Sequence, residues 1–257
     1  MKKKWSIPDE RPLTSSLPIL GLEILESLAC DADDCAEIIK VTNLVPKIVG
    51  LTSYSSSNEN STDNALMSSS LNLLRRLATT NGKVGASLRQ ELWESPFLLS
   101  NLACILEDSR SSPQVWKPAM DIIAIMSWDE VARQELGSAQ VIIHKLVHVF
   151  IVGQDGPTSY DQSVRVAAGE ALTNLAMESP ANCLAILEER RPGYELARDL
   201  KDMLGNDEYR CVAASLLQNL CAWSRIRDRL RGPGETNHLS SALPVVSLVH
   251  YNISKFI

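Results

Sequence analysis

The stretch Ala167-Ala168-Gly169-Glu170-Ala171-Leu172-Thr173-Asn174-Leu175-Ala176 decides the fold of this chain. Leu175, Leu172 three positions before it and Ala168 seven before it share one helical face. The same pattern occurs four more times. Glu23-Ile24-Leu25-Glu26-Ser27-Leu28-Ala29, Asn72-Leu73-Leu74-Arg75-Arg76-Leu77-Ala78, Asp121-Ile122-Ile123-Ala124-Ile125-Met126-Ser127 and Ser215-Leu216-Leu217-Gln218-Asn219-Leu220-Cys221 align with it. The anchors Leu28, Leu77, Met126, Leu175 and Leu220 follow one another at intervals of 49, 49, 49 and 45 residues. Three positions upstream stand Leu25, Leu74, Ile123, Leu172 and Leu217; seven upstream stand Gly21, Ser70, Ala119, Ala168 and Ala213. A small residue in that last row lets a neighbouring helix come close. Self-similarity at this period is the mark of a stacked repeat, in which no unit buries its apolar stripe alone.

What surrounds each segment repeats as well. A polar break follows: Asp31 to Asp34, Thr79 to Gly82, Trp128-Asp129, Glu178 to Pro180 and Trp223-Ser224. A short helix is expected next, carrying Ile38-Ile39, Leu88 with Leu92, Val131 with Leu136, Leu184 with Leu187, or Ile226 with Leu230. A second helix follows, as in Leu44 to Val49 or Val141 to Val147. Pro46, Pro96, Pro180 and Pro244 suit first helical turns, where no N–H partner is lost. Two polar loops, Tyr54 to Asp63 and Gly153 to Gln162, occupy the same place in the unit and lengthen it without breaking it. No stretch alternates with a period of two, so the expectation is all-α with no sheet.

Composition agrees and adds exclusions. Of 257 residues, 45% are hydrophobic and 22% charged, which excludes a mostly disordered chain. Aromatics are only 5%, which argues against a β-sandwich or barrel. The net charge of −6 is wrong for a surface that lives on phosphate contacts, so nucleic acid is not an expected partner. The longest nearly apolar run, Val141 to Val152, is too short to span a bilayer and contains His144, Lys145 and His148. Met1-Lys2-Lys3-Lys4-Trp5 lacks a signal peptide's apolar stretch. The six cysteines (30, 35, 104, 183, 211 and 221) form no CxxC pair. They read as small buried hydrophobes in a reducing compartment, in the cytoplasm or the nucleus.

A unit of short helix, second helix and long third helix resembles the armadillo repeat. Ala167 to Ala176 looks like the family's third helix and Leu44 to Leu51 like its second. The resemblance covers roughly residues 17–250; the HEAT-type array is the alternative. It implies a right-handed α-α superhelix of about five repeats, incomplete at both ends, with a lead at 1–16 and the array over 17–257. It also implies a non-catalytic scaffold or adaptor that binds a protein partner, an extended segment or a folded domain, along the concave third-helix surface. The alternative is a substrate-binding or regulatory module of a larger assembly such as a ubiquitin ligase. The tail Val245 to Ile253 offers no polar cap, which points to self-association through an end or to a longer array.

The groove positions follow from the alignment. One residue before each anchor stand Ser27, Arg76, Ile125, Asn174 and Asn219. In peptide-binding armadillo proteins an asparagine here bonds the backbone of an extended peptide, and only Asn174 and Asn219 match. An amide donates and accepts at once. Four residues further upstream the import adaptors carry tryptophan, whereas this chain has Glu23, Asn72, Asp121, Glu170 and Ser215. That row is acidic in three places and favours a basic segment. The expected groove is therefore Arg76, Asp121, Glu170, Asn174, Ser215 and Asn219; the alternative is a solvated helix face.

Enzyme signals are poor. His144 and His148 share a helical face, but Lys145 stands where a zinc protease has its glutamate. Asp31-Ala32-Asp33-Asp34 reads as a loop and helix cap; a calcium loop would need glycine at Ala36 and glutamate at Thr42. There is no Gly-rich phosphate loop and no GxSxG, and no cofactor or metal is expected. Arg225, Arg227, Arg229 and Arg231 spread over two sides of a helix. Asn60-Ser61-Thr62 is a sequon that a cytosolic chain would not present to the glycosylation machinery.

Overall fold

The computed structural model describes residues 17–53, 61–108, 113–152, 160–189 and 196–230. Among these residues there are thirteen α-helices and no strand. The first, α1 (Leu17–Leu28), is a third helix. Four triplets follow, each of first, second and third helix. They are α2 (Ala32–Ile39), α3 (Leu44–Gly50) and α4 (Ser61–Ala78); α5 (Gly82–Glu94), α6 (Leu98–Glu107) and α7 (Pro113–Met126); α8 (Glu130–Ser138), α9 (Gln140–Val152) and α10 (Gln162–Ala176); and α11 (Pro180–Glu188), α12 (Leu196–Met203) and α13 (Arg210–Leu230). Third helices stack in order: α1 on α4, α4 on α7, α7 on α10, α10 on α13. Second helices follow suit, with α6 on α9 and α9 on α12, and first helices pair as α2 with α5 and α8 with α11.

The anchor rows are the core. Leu77, Met126, Leu175 and Leu220 are buried, as are Leu74, Ile123, Leu172 and Leu217 above them. Ser70, Ala119, Ala168 and Ala213 are buried too, so the small row does sit where helices meet. Leu28 is the exception at 44% exposed, because among the described residues α4 is the one third helix packed against α1. Gly169 beside the small row shows how close the packing is. A Cβ there would stand 2.5 Å from Val212 Cγ1 and 2.7 Å from Phe150 Cε2.

Two sets of polar joints repeat with the helices. The carbonyl one residue after each of the first four anchors is an orphan of a helix end, and each is met from the following first helix. Cys35 Sγ donates to Ala29 O, Arg89 Nη1 to Ala78 O, Arg133 Nη1 to Ser127 O and Cys183 Sγ to Ala176 O. Ten residues before the last three anchors, Trp116 Nε1, Arg165 Nη2 and Arg210 Nε donate to Ile105 O, Phe150 O and Leu204 O, near the ends of the second helices. Pro118 inside α7 frees the carbonyl of Gln114. Ser68 Oγ of α4 donates to it at 3.5 Å.

The expected boundaries hold with exceptions. Asp31 and Asp129 cap α2 and α8 through their side chains, and Ser179 caps α11 with Pro180 at its first position. Trp223-Ser224 is not a break, however. α13 runs through it to Leu230, because neither glycine, proline nor a capping aspartate interrupts the helix there. Val131 is 58% exposed, so Ala132 and Leu136 face the core in α8; in α11 it is Cys183 and Ile186, with Leu184 and Leu187 half-buried. α4 starts at Ser61, within the stretch expected to be loop. Cys35 and Cys183 are buried, but Cys30, Cys104 and Cys211 are exposed and Cys221 is half-buried. The lead at 1–16, loop residues 54–60 and 153–159, Asn60 of the sequon, Pro244, Arg231, the tail and the last second helix lie outside the described residues, as do the side chains of Arg225, Arg227 and Arg229.

Candidate partner-binding face

Stacking α1, α4, α7, α10 and α13 places the six expected groove residues on one layer of helices. The two asparagines do the same thing one unit apart. Asn174 Nδ2 donates to Ala124 O of α7 at 2.9 Å, and Asn219 Nδ2 to Thr173 O of α10 at 2.9 Å. Each acceptor lies two residues before the preceding anchor, so the bond recurs with the repeat. It fixes the amide's orientation and leaves one N–H and the Oδ1 acceptor of each asparagine for other partners. Both side chains are half-buried.

The rest of the row diverges. Arg76 Nη2 donates to Cys30 Sγ at 3.2 Å. Ser27 Oγ bonds back to Glu23 O of its own helix. Ile125 was expected to face solvent with this row, but it is 7% exposed, because adjoining third helices close over it. In the upstream row, Glu23 and Glu170 are exposed and Asn72 is half-buried. Asp121 is neutralised: Lys117 Nζ lies 2.8 Å from Oδ2 and Arg75 Nε 3.9 Å away. Ser215 Oγ bonds Cys211 O at 2.9 Å. The acidic character expected for that row therefore rests on Glu23 and Glu170 alone.

A cavity of about 730 Å³ lies away from this layer, where α6, α9 and α11 meet. Its walls include Glu107, His144, Lys145, His148, Glu188 and Glu189. His144 Nδ1 pairs with Glu189 Oε1. Lys145 Nζ sits 3.9 Å from the centre of the Trp116 ring, and His148 meets Tyr160 edge-on. The two histidines thus go to different neighbours. Among the described residues no group of three or more histidine, cysteine or acidic side chains is arranged to hold a metal ion. Burial pushes the Cys183 thiol up to about 11, away from nucleophilic chemistry. No helix among the described residues is long and apolar enough to cross a membrane.

Sequence reasoning missed the polar joints and the exposed Trp128, which is 58% exposed. The joints had no signal in residue type, since cysteine, arginine and tryptophan all serve. Trp128 did have one: a tryptophan inside a polar break lacks a core position.

The fold is that of an all-helical repeat protein, and it has counterparts among solved structures. Two engineered proteins from the Northeast Structural Genomics Consortium are similar to it. One is 16% identical with a TM-score of 0.61, covering 96% of this chain and 95% of its own. The other is 18% identical with a TM-score of 0.62, covering 95% of this chain and 94% of its own. No protein-family model and no curated protein matches the sequence.

Proposed function

We propose that this chain is a non-catalytic scaffold or adaptor of the armadillo type, binding a protein partner along its third-helix layer. The carrying observation is the pair Asn174 and Asn219, held alike by Ala124 O and Thr173 O. Two amides fixed at equivalent places offer donors and acceptors at a repeat spacing. That suits the evenly spaced peptide groups of an extended segment. The exposed carboxylates of Glu23 and Glu170 would favour basic residues in it.

The test is affinity capture of partners from cell extract, repeated with Asn174→Ala plus Asn219→Ala. The expected outcome is loss of partners that the unaltered chain retains. Undiminished capture would contradict the clamp. Because each substitution also removes an interhelical bond, thermal unfolding of the variant is measured in parallel.

The second reading is a module of a larger assembly, such as the substrate-binding part of a ubiquitin ligase, or a chain that pairs with its own copy. The observation that favours it is on α1. Leu17, Leu20, Ile24 and Leu28 are 58, 52, 53 and 44% exposed, and their spacing puts them along one side of the helix. A mass that rises with concentration in light scattering is expected for self-pairing; a constant monomer mass contradicts it.

A further inference from the structure

The positions just past the anchors form a row of their own, beside the asparagines. Two residues after each anchor stand Cys30, Thr79, Trp128, Met177 and Ala222. From the third unit on, the row is apolar and exposed. Trp128 is 58% exposed, Val131 58% and Met177 36%. A tryptophan more than half in solvent leaves most of its apolar surface for another partner.

Two cavities open on this rim. One, about 380 Å³, lies between α5 and the α7–α8 turn and is walled by Arg89, Trp93, Met126 and Trp128. The other, about 400 Å³, lies between the α10–α11 turn and α13 and is walled by Met177, Pro180, Asn219 and Trp223. They lie in two units of the array, at different registers. The first is walled by α5 and the end of α7, the second by the start of α11 and the middle of α13, and each has a tryptophan, Trp128 two residues after its anchor and Trp223 three residues after its own. Trp128 follows α7 and Trp223 lies in α13, two third helices further on.

The two turns are acidic, and the cation at the first cavity, Arg89, is tied to backbone carbonyls. The turns 126–131 and 176–181 carry Asp129, Glu130 and Glu178 and no lysine or arginine. Arg89, at the first cavity, donates to Ala78 O and Thr80 O and lies 5.9 Å from the centre of the Trp128 ring. Glu178 also has a φ of 51°, left-handed backbone that a non-glycine residue rarely adopts. Such strain gathers at binding sites.

Packed helices stand about 8–10 Å apart, so two units put the cavities roughly 20 Å apart. An extended chain covers that in about six residues at about 3.3 Å each. We propose that this rim docks an extended segment of a partner protein with two bulky apolar side chains about six residues apart and lysine or arginine between them. The apolar side chains would enter the two cavities, and the cations would face Asp129, Glu130 and Glu178. This rests on the protein-binding reading above but not on the asparagine clamp.

The test is selection of a random-peptide phage library on the full chain, followed by anisotropy measurements on the enriched peptides. The expected pattern is two bulky apolar positions five to seven apart with basic residues between. Trp128→Ser should weaken those peptides about tenfold, as an interface anchor does. Glu130→Lys plus Glu178→Lys should weaken them several-fold at low salt and less at high salt. Both variants change exposed side chains, and an unchanged melting temperature checks that they fold. Peptides that lack the pattern, or that ignore Trp128→Ser, overturn the rim. Asn219 also walls the second cavity, so Asn174→Ala alone separates the two: if such peptides still respond to it, the scaffold reading survives and the rim alone fails. If nothing enriches, both fail.

Discussion

α1 and α10 occupy the same place in the repeat, and they differ in almost everything that packing supplies. Both have the anchor, the aliphatic residue three before it and the small residue seven before it. In α10 these are Leu175, Leu172 and Ala168, all buried, between α7 on one side and α13 on the other. In α1 the anchor Leu28 is 44% exposed, Leu25 and Gly21 are half-buried, and α4 is the neighbouring third helix. The comparison teaches that the residue pattern does not bury itself. Burial comes from the number of neighbours a unit has.

Substitutions at matched places should expose that difference. The largest effect is expected for Leu175→Ala, about 3–5 kcal/mol, from lost transfer energy plus a cavity between two helices. Leu28→Ala should cost below about 1 kcal/mol, because its side chain is already largely in water. Urea unfolding of both variants checks the pair, and equal losses would break the comparison.

Next comes Arg165→Met. Arg165 donates to Phe150 O through Nε and Nη2, and its guanidinium lies 4.2 Å from the centre of the Tyr209 ring. Removing it should cost about 1–3 kcal/mol, since a buried carbonyl loses its donor. The corresponding position in α1 is Pro18, which has no donor to give.

The glycines should then split in sign. Gly169→Ala should destabilise by about 1–3 kcal/mol, because Val212 and Phe150 must move aside. Gly21→Ala meets open space and should stabilise α1 by up to about 1 kcal/mol through helix propensity. Melting temperatures moving in opposite directions would sharpen the comparison; movement the same way would blunt it.

The smallest effect at neutral pH belongs to the cysteines. Exposed Cys30 should react with iodoacetamide quickly, and buried Cys183 slowly. The thiol of Cys183 is held protonated by burial, from an ordinary value of 9.0 up to about 11. Its contribution to stability is therefore complete below pH 9.0 and lost as pH rises through about 11. Cys183→Ala should flatten the stability profile in that window.

The sequence carries the repeat because the anchor rows must be filled by particular sizes: large aliphatics at Leu77, Met126 and Leu175, small residues at Ser70, Ala119 and Ala168. Size constraints leave a periodic trace. The polar joints leave none, because a carbonyl accepts from any donor that reaches it. Cys35, Arg89, Arg133 and Cys183 fill one role with two residue types at unequal distances from their anchors. The groove asparagines were visible in the alignment, but their acceptors Ala124 O and Thr173 O are backbone atoms that no sequence pattern marks. The continuation of α13 was hidden for a related reason. A break is read from residues that cap or terminate, and Trp223-Ser224 only resembles one by position.

Hydrogen exchange of the whole chain, read helix by helix, tests the stacking account most directly. The slowest exchange is expected in α4, α7 and α10, each of which has third helices on both sides, and the fastest third-helix exchange in α1. Protection in α1 equal to that in α10 would contradict it, because burial would then be a property of the pattern and not of the neighbours.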